Sequence, residues 1–176
     1  MAGDLDGAER EATTALYHAP TAARLWYRRA LIRMARRQFI TAAADLNVAL
    51  RNDPAMAAAY VARGDCYRAL GALDLAVADT TRALELEPNS AEALAARAYA
   101  LLRQGKSEDA RGDAERSVSL DPKLARGYLT RGLAIDQKAG GRERERVVAD
   151  LSKALELDPS LREIAVLKPV LQRYGL

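Results

Sequence analysis

The stretch "AYVARGDCYRALGALDLAVADTTRALELEP", residues 59–88, contains two helix-like segments, a central glycine and a closing proline. Its last six residues return in nearly the same form as "ALELDP" at residues 154–159. The prolines that end such segments lie at positions 20, 54, 88, 122 and 159, so the steps between them are 34, 34, 34 and 37. Since proline cannot continue a helix, this spacing predicts a periodic array of helical units.

Small residues recur at fixed positions within each unit and predict closely packed helices. They are Ala30, Gly64, Ala98 and Gly132 in the first half, then Ala42, Ala76, Ala110 and Val147 in the second. Gly71 and Gly105 lie midway between them, where an antiparallel pair of helices needs a turn. Each unit is therefore predicted to be a helical hairpin.

A 34-residue helix–turn–helix unit with these small residues and a closing proline resembles the tetratricopeptide repeat, or TPR. The resemblance implies an all-α, right-handed superhelical solenoid of antiparallel helix hairpins. We expect residues 1–22 to form the second helix of a truncated repeat and residues 162–176 to form a capping helix. Four full repeats are expected between them, at residues 23–56, 57–90, 91–124 and 125–161. Three extra residues in the fourth repeat are expected to lengthen its turn or its second helix.

Arginine and aspartate also repeat in step with the units. Arg29 and Asp45 are 16 residues apart, and so are the two corresponding pairs; the last pair, Arg131 and Asp150, is 19 apart because of the insertion. Residues equidistant from the turn of an antiparallel hairpin lie at the same height, so each arginine should contact the aspartate of its own hairpin. These arginines are thus predicted to be structural.

Composition limits the classes of function. The 176 residues carry 27 basic and 24 acidic side chains, a net charge of +3, spread along the chain. No basic stripe with stacking aromatics is present, so nucleic-acid binding is not favoured. Metal-ligand spacings and phosphate-binding loops are also missing from the sequence, and we expect neither catalysis nor a cofactor. The absence of a membrane-span pattern, with one cysteine, Cys66, suggests a cytoplasmic location.

The TPR resemblance implies a function in binding a protein or peptide in a concave groove lined by the first helices. Aligned positions give an apolar groove with an arginine fringe, suited to a partner with acidic and aliphatic or aromatic character. The expected groove residues are Arg24, Tyr27, Arg28, Leu31, Met34, Val61, Arg68, Tyr99, Leu102, Arg103, Arg126, Leu129 and Leu133. They could also pack against neighbouring helices rather than meet a ligand.

Self-assembly is the alternative function. The first helix would expose Ala8, Ala12, Ala15 and Leu16, and a second copy could stack on this end to form a homo-oligomeric scaffold.

Overall fold

A computed structural model describes residues 4–139, 143–164 and 167–176, without the side chains of residues 138 and 139. The secondary structure of these residues is entirely helical, which confirms the all-α prediction. The chain divides into two compact units, residues 1–88 and residues 89–176. Each unit contains two complete helical hairpins.

Unit 1 consists of five helices. They are α1 (Leu5–His18), α2 (Ala23–Ala35), α3 (Phe39–Asn52), α4 (Ala57–Ala69) and α5 (Leu73–Leu86). Helices α2 and α3 form the first hairpin and α4 and α5 the second, while α1 packs against α2. The core contains Ala30, Leu46, Ala59 and Cys66, all fully buried, with Tyr27 and Met34 packed at its edge.

Unit 2 repeats this arrangement and adds a C-terminal segment. Its elements are α6 (Ala91–Arg103), α7 (Ser107–Leu120), α8 (Ala125–Ala139), α9 (Arg144–Leu157), a 3-10 helix (Pro159–Glu163) and α10 (Lys168–Tyr174). Helices α6 and α7 form the third hairpin, and α8 and α9 form the fourth.

The turns of the first three hairpins share one unusual backbone conformation. Gly71 and Gly105 have φ of 81°, and Arg37, at the same place in the first hairpin, has φ of 60°. Left-handed backbone suits glycine because it has no Cβ to clash with the following carbonyl. The first hairpin therefore makes its turn with a residue poorly suited to it.

Close helix contact explains why the first helix of each hairpin has a small residue near its middle. A Cβ added to Gly64 would lie 3.0 Å from Cγ2 of Thr80 and 3.2 Å from the carbonyl oxygen of Ala76. Gly132 is equally confined, by the side chains of Asp150 and Leu151. Larger side chains at these positions would push the two helices apart.

Beside each small residue, an arginine meets the aspartate of its own hairpin, as the sequence predicts. In the second hairpin, Arg63 donates hydrogen bonds from Nε and Nη2 to the two carboxylate oxygens of Asp79, both at 2.7 Å. The same two-point contact joins Arg29 to Asp45, Arg97 to Asp113 and Arg131 to Asp150. These four pairs are called the Arg–Asp ladder below.

Ladder arginines also reach the preceding helix within unit 1. Nη1 of Arg29 lies 3.3 Å from the Thr13 hydroxyl on α1, and Nη1 of Arg63 donates to Oδ1 of Asn47 on α3 at 2.8 Å. The four aspartates are between 3% and 8% exposed. The ladder thus joins the two helices of a hairpin and links one hairpin to the helix before it.

Two C-terminal details add to the sequence expectation. The capping segment predicted at residues 162–176 is a 3-10 helix followed by the short helix α10, which begins beside Pro169. Leu161, Leu167 and Leu171 nevertheless pack into the core that contains α9. In the fourth repeat the first helix is longer, since α8 has 15 residues against 13 in α2, whereas α9 has the usual 14. Residues 140–142, which follow α8, lie outside the described residues.

Candidate functional site

The first hairpin presents most of its predicted groove residues to solvent. Arg24, Arg28 and Leu31 are exposed along one side of α2, at the i, i+4, i+7 spacing of a helix face. Tyr27 and Met34 are half-buried beside them. We call these five residues the α2 surface. It combines apolar contact area with two long cationic side chains.

The two arginines of the α2 surface are not neutralised by acidic side chains of the described residues. Within the described residues, neither Arg24 nor Arg28 forms an ion pair, so both guanidinium groups face solvent. By contrast, Arg33 and Arg36, at the end of the same helix, bind Glu9 of α1, with N···O distances of 2.9 and 2.6 Å. These contacts, chiefly the hydrogen bond from Arg33, lower the pKa of Glu9 below its usual value. Two arginines of this segment therefore hold α1 in place, and two remain available for a ligand.

The second hairpin contributes less to the predicted groove. Val61 is only 9% exposed and belongs to the interior of the fold. Arg68 is half-buried, and its Nε lies 3.3 Å from a carboxylate oxygen of Asp65. Its charge is thus partly neutralised within its own helix.

Unit 2 divides its predicted groove residues in the same way. Leu102 and Leu129 are 7% and 8% exposed, so they pack in the interior and present little surface to a partner. Tyr99 and Leu133 are half-buried, and Arg103 is exposed. Arg126 is half-buried, with its Nη1 3.2 Å from Glu92 of the preceding first helix.

Position within the repeat does not by itself predict which groove residues are exposed, because residues at the same repeat position differ in burial. Arg28 is exposed, whereas its counterparts Ala62, Ala96 and Thr130 are 6%, 2% and 0% exposed. Small side chains at this position accompany close packing, and the arginine marks the hairpin where the surface is open. The size of the residue at this repeat position is therefore the feature of the sequence that distinguishes the exposed hairpin from the buried ones.

An exposed apolar feature of unit 1 was not predicted. Ile40, at the start of α3, is 73% exposed and lies with Phe39 and Leu70 around a shallow pocket bordered by Arg37 and Glu9. A hydrophobic residue in the first turn of a helix gives no periodic signal, which is why the sequence pattern does not reveal its exposure.

Chemically reactive groups are scarce in the described part of the chain. Cys66 is fully buried, and burial raises the pKa of its thiol to about 12. Among the described residues, no group of three or more His, Cys, Asp or Glu side chains is placed to hold a metal ion. None of the described helices is both long and apolar enough to cross a membrane.

Comparison with known proteins identifies the repeat. Two tetratricopeptide repeat family models match, one at residues 57–90 and one at residues 80–112. A comparison with curated protein sequences found no match.

Solved structures of TPR proteins share the fold over most of the chain. The crystal structure of MamA matches at 24% identity over 92% of both chains, with a TM-score of 0.72. TTC0263, a thermophilic TPR protein of Thermus thermophilus, matches at 18% identity over 98% of this chain and 90% of its own, with a TM-score of 0.77. YrrB, described as a TPR protein with an unusual peptide-binding site, matches at 23% identity over 89% of this chain and 79% of its own, with a TM-score of 0.64. The family models thus identify tetratricopeptide repeats within residues 57–112, and the solved structures show that the chain shares the fold of TPR proteins over most of its length.

Proposed function

We propose that the protein is a non-catalytic interaction module that binds a peptide or a segment of a partner protein on the α2 surface. The observation that carries this proposal is the pairing of exposed Leu31, 40% accessible, with two arginines that have no acidic partner in the described chain. TPR proteins are in general protein-interaction modules, and the family therefore fits this function.

The side chains of the α2 surface favour a particular type of ligand. Leu31, Tyr27 and Met34 offer apolar area for an aliphatic or aromatic anchor, while Arg24 and Arg28 attract carboxylates. Methionine adapts its shape to different partners because it is unbranched and flexible. The proposed partner segment thus has hydrophobic anchors flanked by acidic residues.

Unit 2 offers a second, smaller set of groups of the same kind. Tyr99 and Leu133 supply partly exposed apolar area, and Arg103 supplies an exposed charge. We assign these residues to a secondary contact surface of their own. Val61, Leu102 and Leu129 are assigned to core packing because they are buried.

Affinity capture from a lysate of the source organism tests this function. The wild-type chain is compared with two variants, Leu31→Glu and the double variant Arg24→Ala/Arg28→Ala, and captured proteins are identified by mass spectrometry. Leu75→Glu is the matched control, since Leu75 is also exposed but lies on α5. A partner retained by wild type and Leu75→Glu but lost from both α2 variants would support the proposal. Equal capture by all four chains would overturn it.

Self-assembly through α1 remains the second candidate function. Ala8, Ala12 and Ala15 are only half-buried on this helix, although Leu16 is 5% exposed and packs within unit 1. Light scattering between micromolar and millimolar chain concentration tests it. A rise to dimer mass that is abolished by Ala12→Glu would support stacking, whereas a constant monomer mass would exclude it.

A further inference from the structure

Helix α1 contains residues at the same repeat positions as those that face the first helix in every hairpin. Ala8, Glu11 and Ala12 lie one repeat before Ala42, Asp45 and Leu46 of α3. Later repeats place Ala76, Asp79 and Thr80, then Ala110, Asp113 and Ala114, and finally Val147, Asp150 and Leu151 at the same positions. We call Ala8, Glu11 and Ala12 the α1 face. Glu11 is the α1 equivalent of the ladder aspartates.

Burial distinguishes the α1 face from its four counterparts. Ala42, Asp45 and Leu46 are 0%, 3% and 0% exposed, and the other three sets range from 0% to 8%. In α1, by contrast, Ala8 and Ala12 are only half-buried and Glu11 is exposed. Of the described helices, α2 is the one that packs against α1, and it leaves this side uncovered.

Glu11 also lacks the partner that each ladder aspartate has. Asp45, Asp79, Asp113 and Asp150 each accept two hydrogen bonds from an arginine on the facing helix. In the described part of the chain, Glu11 forms neither a hydrogen bond nor an ion pair through its side chain. Neighbouring Arg10 is 3.9 Å from Asp4 instead, and its repeat counterparts Ala44 and Ala78 are solvent-exposed. Arg10 thus pairs with Asp4 and not with Glu11.

The four covered faces show what kind of helix fits. In every hairpin the covering helix has an arginine followed directly by alanine or glycine: Arg29–Ala30, Arg63–Gly64, Arg97–Ala98 and Arg131–Gly132. The small residue permits close approach, and the arginine binds the carboxylate. Glutamate is one methylene longer than aspartate and can still accept a two-point contact from a guanidinium group.

We propose that the α1 face binds a helix of a partner protein through an arginine followed by alanine or glycine, with the arginine paired to Glu11. A second copy of the chain fits less well. Its four ladder arginines are already bound to the aspartates of their own hairpins. The other arginines followed by alanine or glycine also have acidic partners within the chain: Arg68 with Asp65, Arg82 with Glu85, Arg111 with Glu115 and Arg126 with Glu92. A second copy would therefore have to break one of these ion pairs. This inference concerns Glu11 and Ala12 and does not depend on the α2 surface.

A peptide taken from the chain itself provides the probe. Residues 90–104, "SAEALAARAYALLRQ", contain Arg97 followed by Ala98 and begin with Ser90, whose side chain caps α6. Titration of this peptide into the ¹⁵N-labelled full chain is followed by NMR. We expect saturable shifts of the amides of Ala8, Glu11 and Ala12.

Two charge-removing changes and their matched controls test the pairing. Glu11→Gln in the chain, or Arg97→Gln in the peptide, should weaken binding roughly ten-fold, the size expected for the loss of a charged hydrogen-bond partner. Glu87→Gln in the chain and Arg103→Gln in the peptide remove the same charges at other exposed positions and should leave affinity unchanged. Glu11→Arg combined with the Arg97→Glu peptide should recover part of the binding.

Folding of the chain variants is checked by circular dichroism. We expect Glu11→Gln to fold normally because Glu11 is exposed. Absence of binding at millimolar peptide, or equal affinity for wild type and Glu11→Gln, would overturn the proposal. Self-association of the peptide-free chain that shifts the amides of residues 8–12 would also overturn it, because a second copy would then occupy the α1 face.

Discussion

Arg63 and Asp79 lie 16 residues apart in sequence and form a two-point ion pair across the middle of the second hairpin, with both N···O distances at 2.7 Å. Asp79 is 8% exposed, and the hydrogen bond to it raises the pKa of Arg63. The arginine therefore stays charged at physiological pH, and the pair is maintained. The pair recurs in all four hairpins beside the small residue that brings the helices together.

Removal of one partner should expose the dependence of the hairpin on this pair. We expect Arg63→Ala to lower the free energy of unfolding by about 3 kcal/mol, because Asp79 would remain buried without its counter-charge. Arg82→Ala is the control, since Arg82 is half-exposed and pairs with Glu85 on the surface; its loss should be much smaller than that of Arg63→Ala. Chemical denaturation measures both. Similar small losses for the two variants would show that the ladder does not stabilise the fold.

The turn of the first hairpin offers a stabilising substitution. Arg37 has φ of 60°, where its counterparts Gly71 and Gly105 have glycine. We expect Arg37→Gly to raise the free energy of unfolding by roughly 0.5–1 kcal/mol, since relief of left-handed strain exceeds the added flexibility of the unfolded chain. Gly71→Ala should have the opposite sign. Thermal unfolding of both variants provides the test, and destabilisation by Arg37→Gly would contradict this view of the turn.

Helix contact at Gly64 predicts a contrast between two glycines. Gly64→Leu should cost about 2–3 kcal/mol, because a side chain would collide with Thr80 and the Ala76 carbonyl. Gly112 lies on the exposed side of α7 and has no heavy atom within 4 Å of an added Cβ. Gly112→Leu should therefore be neutral or stabilising through helix propensity. Equal effects in urea denaturation would exclude tight packing at Gly64.

Cys66 should be inert in the folded protein. Burial raises the pKa of its thiol to about 12, so almost no thiolate forms at about pH 8 in the native state. We expect a thiol-specific reagent to modify the native chain far more slowly than the urea-unfolded chain, in which the thiol recovers its ordinary pKa. Comparable modification rates in the two states would show that Cys66 is accessible.

Much of the fold follows from the sequence because its determinants are local and repeated. The proline spacing reflects the length of one unit, and the small residues of each hairpin reflect close contact between its helices. The 16-residue separation of Arg29 and Asp45 reflects their equal distance from the turn. The three added residues before Asp150 preserve the pair, and this shift was visible in the sequence. The sequence does not show where the three residues are inserted, because a longer α8 and a longer turn would both preserve the pair.

The candidate site was less predictable, since alignment of repeat positions does not determine exposure. Leu31 and Leu102 both match positions of the TPR groove, yet Leu31 is 40% exposed and Leu102 is 7% exposed. Their difference depends on the side chains packed around each helix, which vary between repeats. For α1 the sequence predicts that Ala8, Ala12, Ala15 and Leu16 are exposed. The three alanines are half-buried, Leu16 is buried, and the exposure of Glu11 on the same helix was not predicted.

Site-specific photo-crosslinking tests the proposed binding surface most directly. A photoreactive amino acid is placed at Leu31 and, as a control, at Ala78, which is exposed on α5. After irradiation in a lysate of the source organism, we expect a discrete crosslinked partner from position 31 that disappears in the Arg24→Ala/Arg28→Ala background, and no such product from position 78. The same crosslinked products from both positions, or a product at position 31 that persists without the two arginines, would contradict binding at the α2 surface.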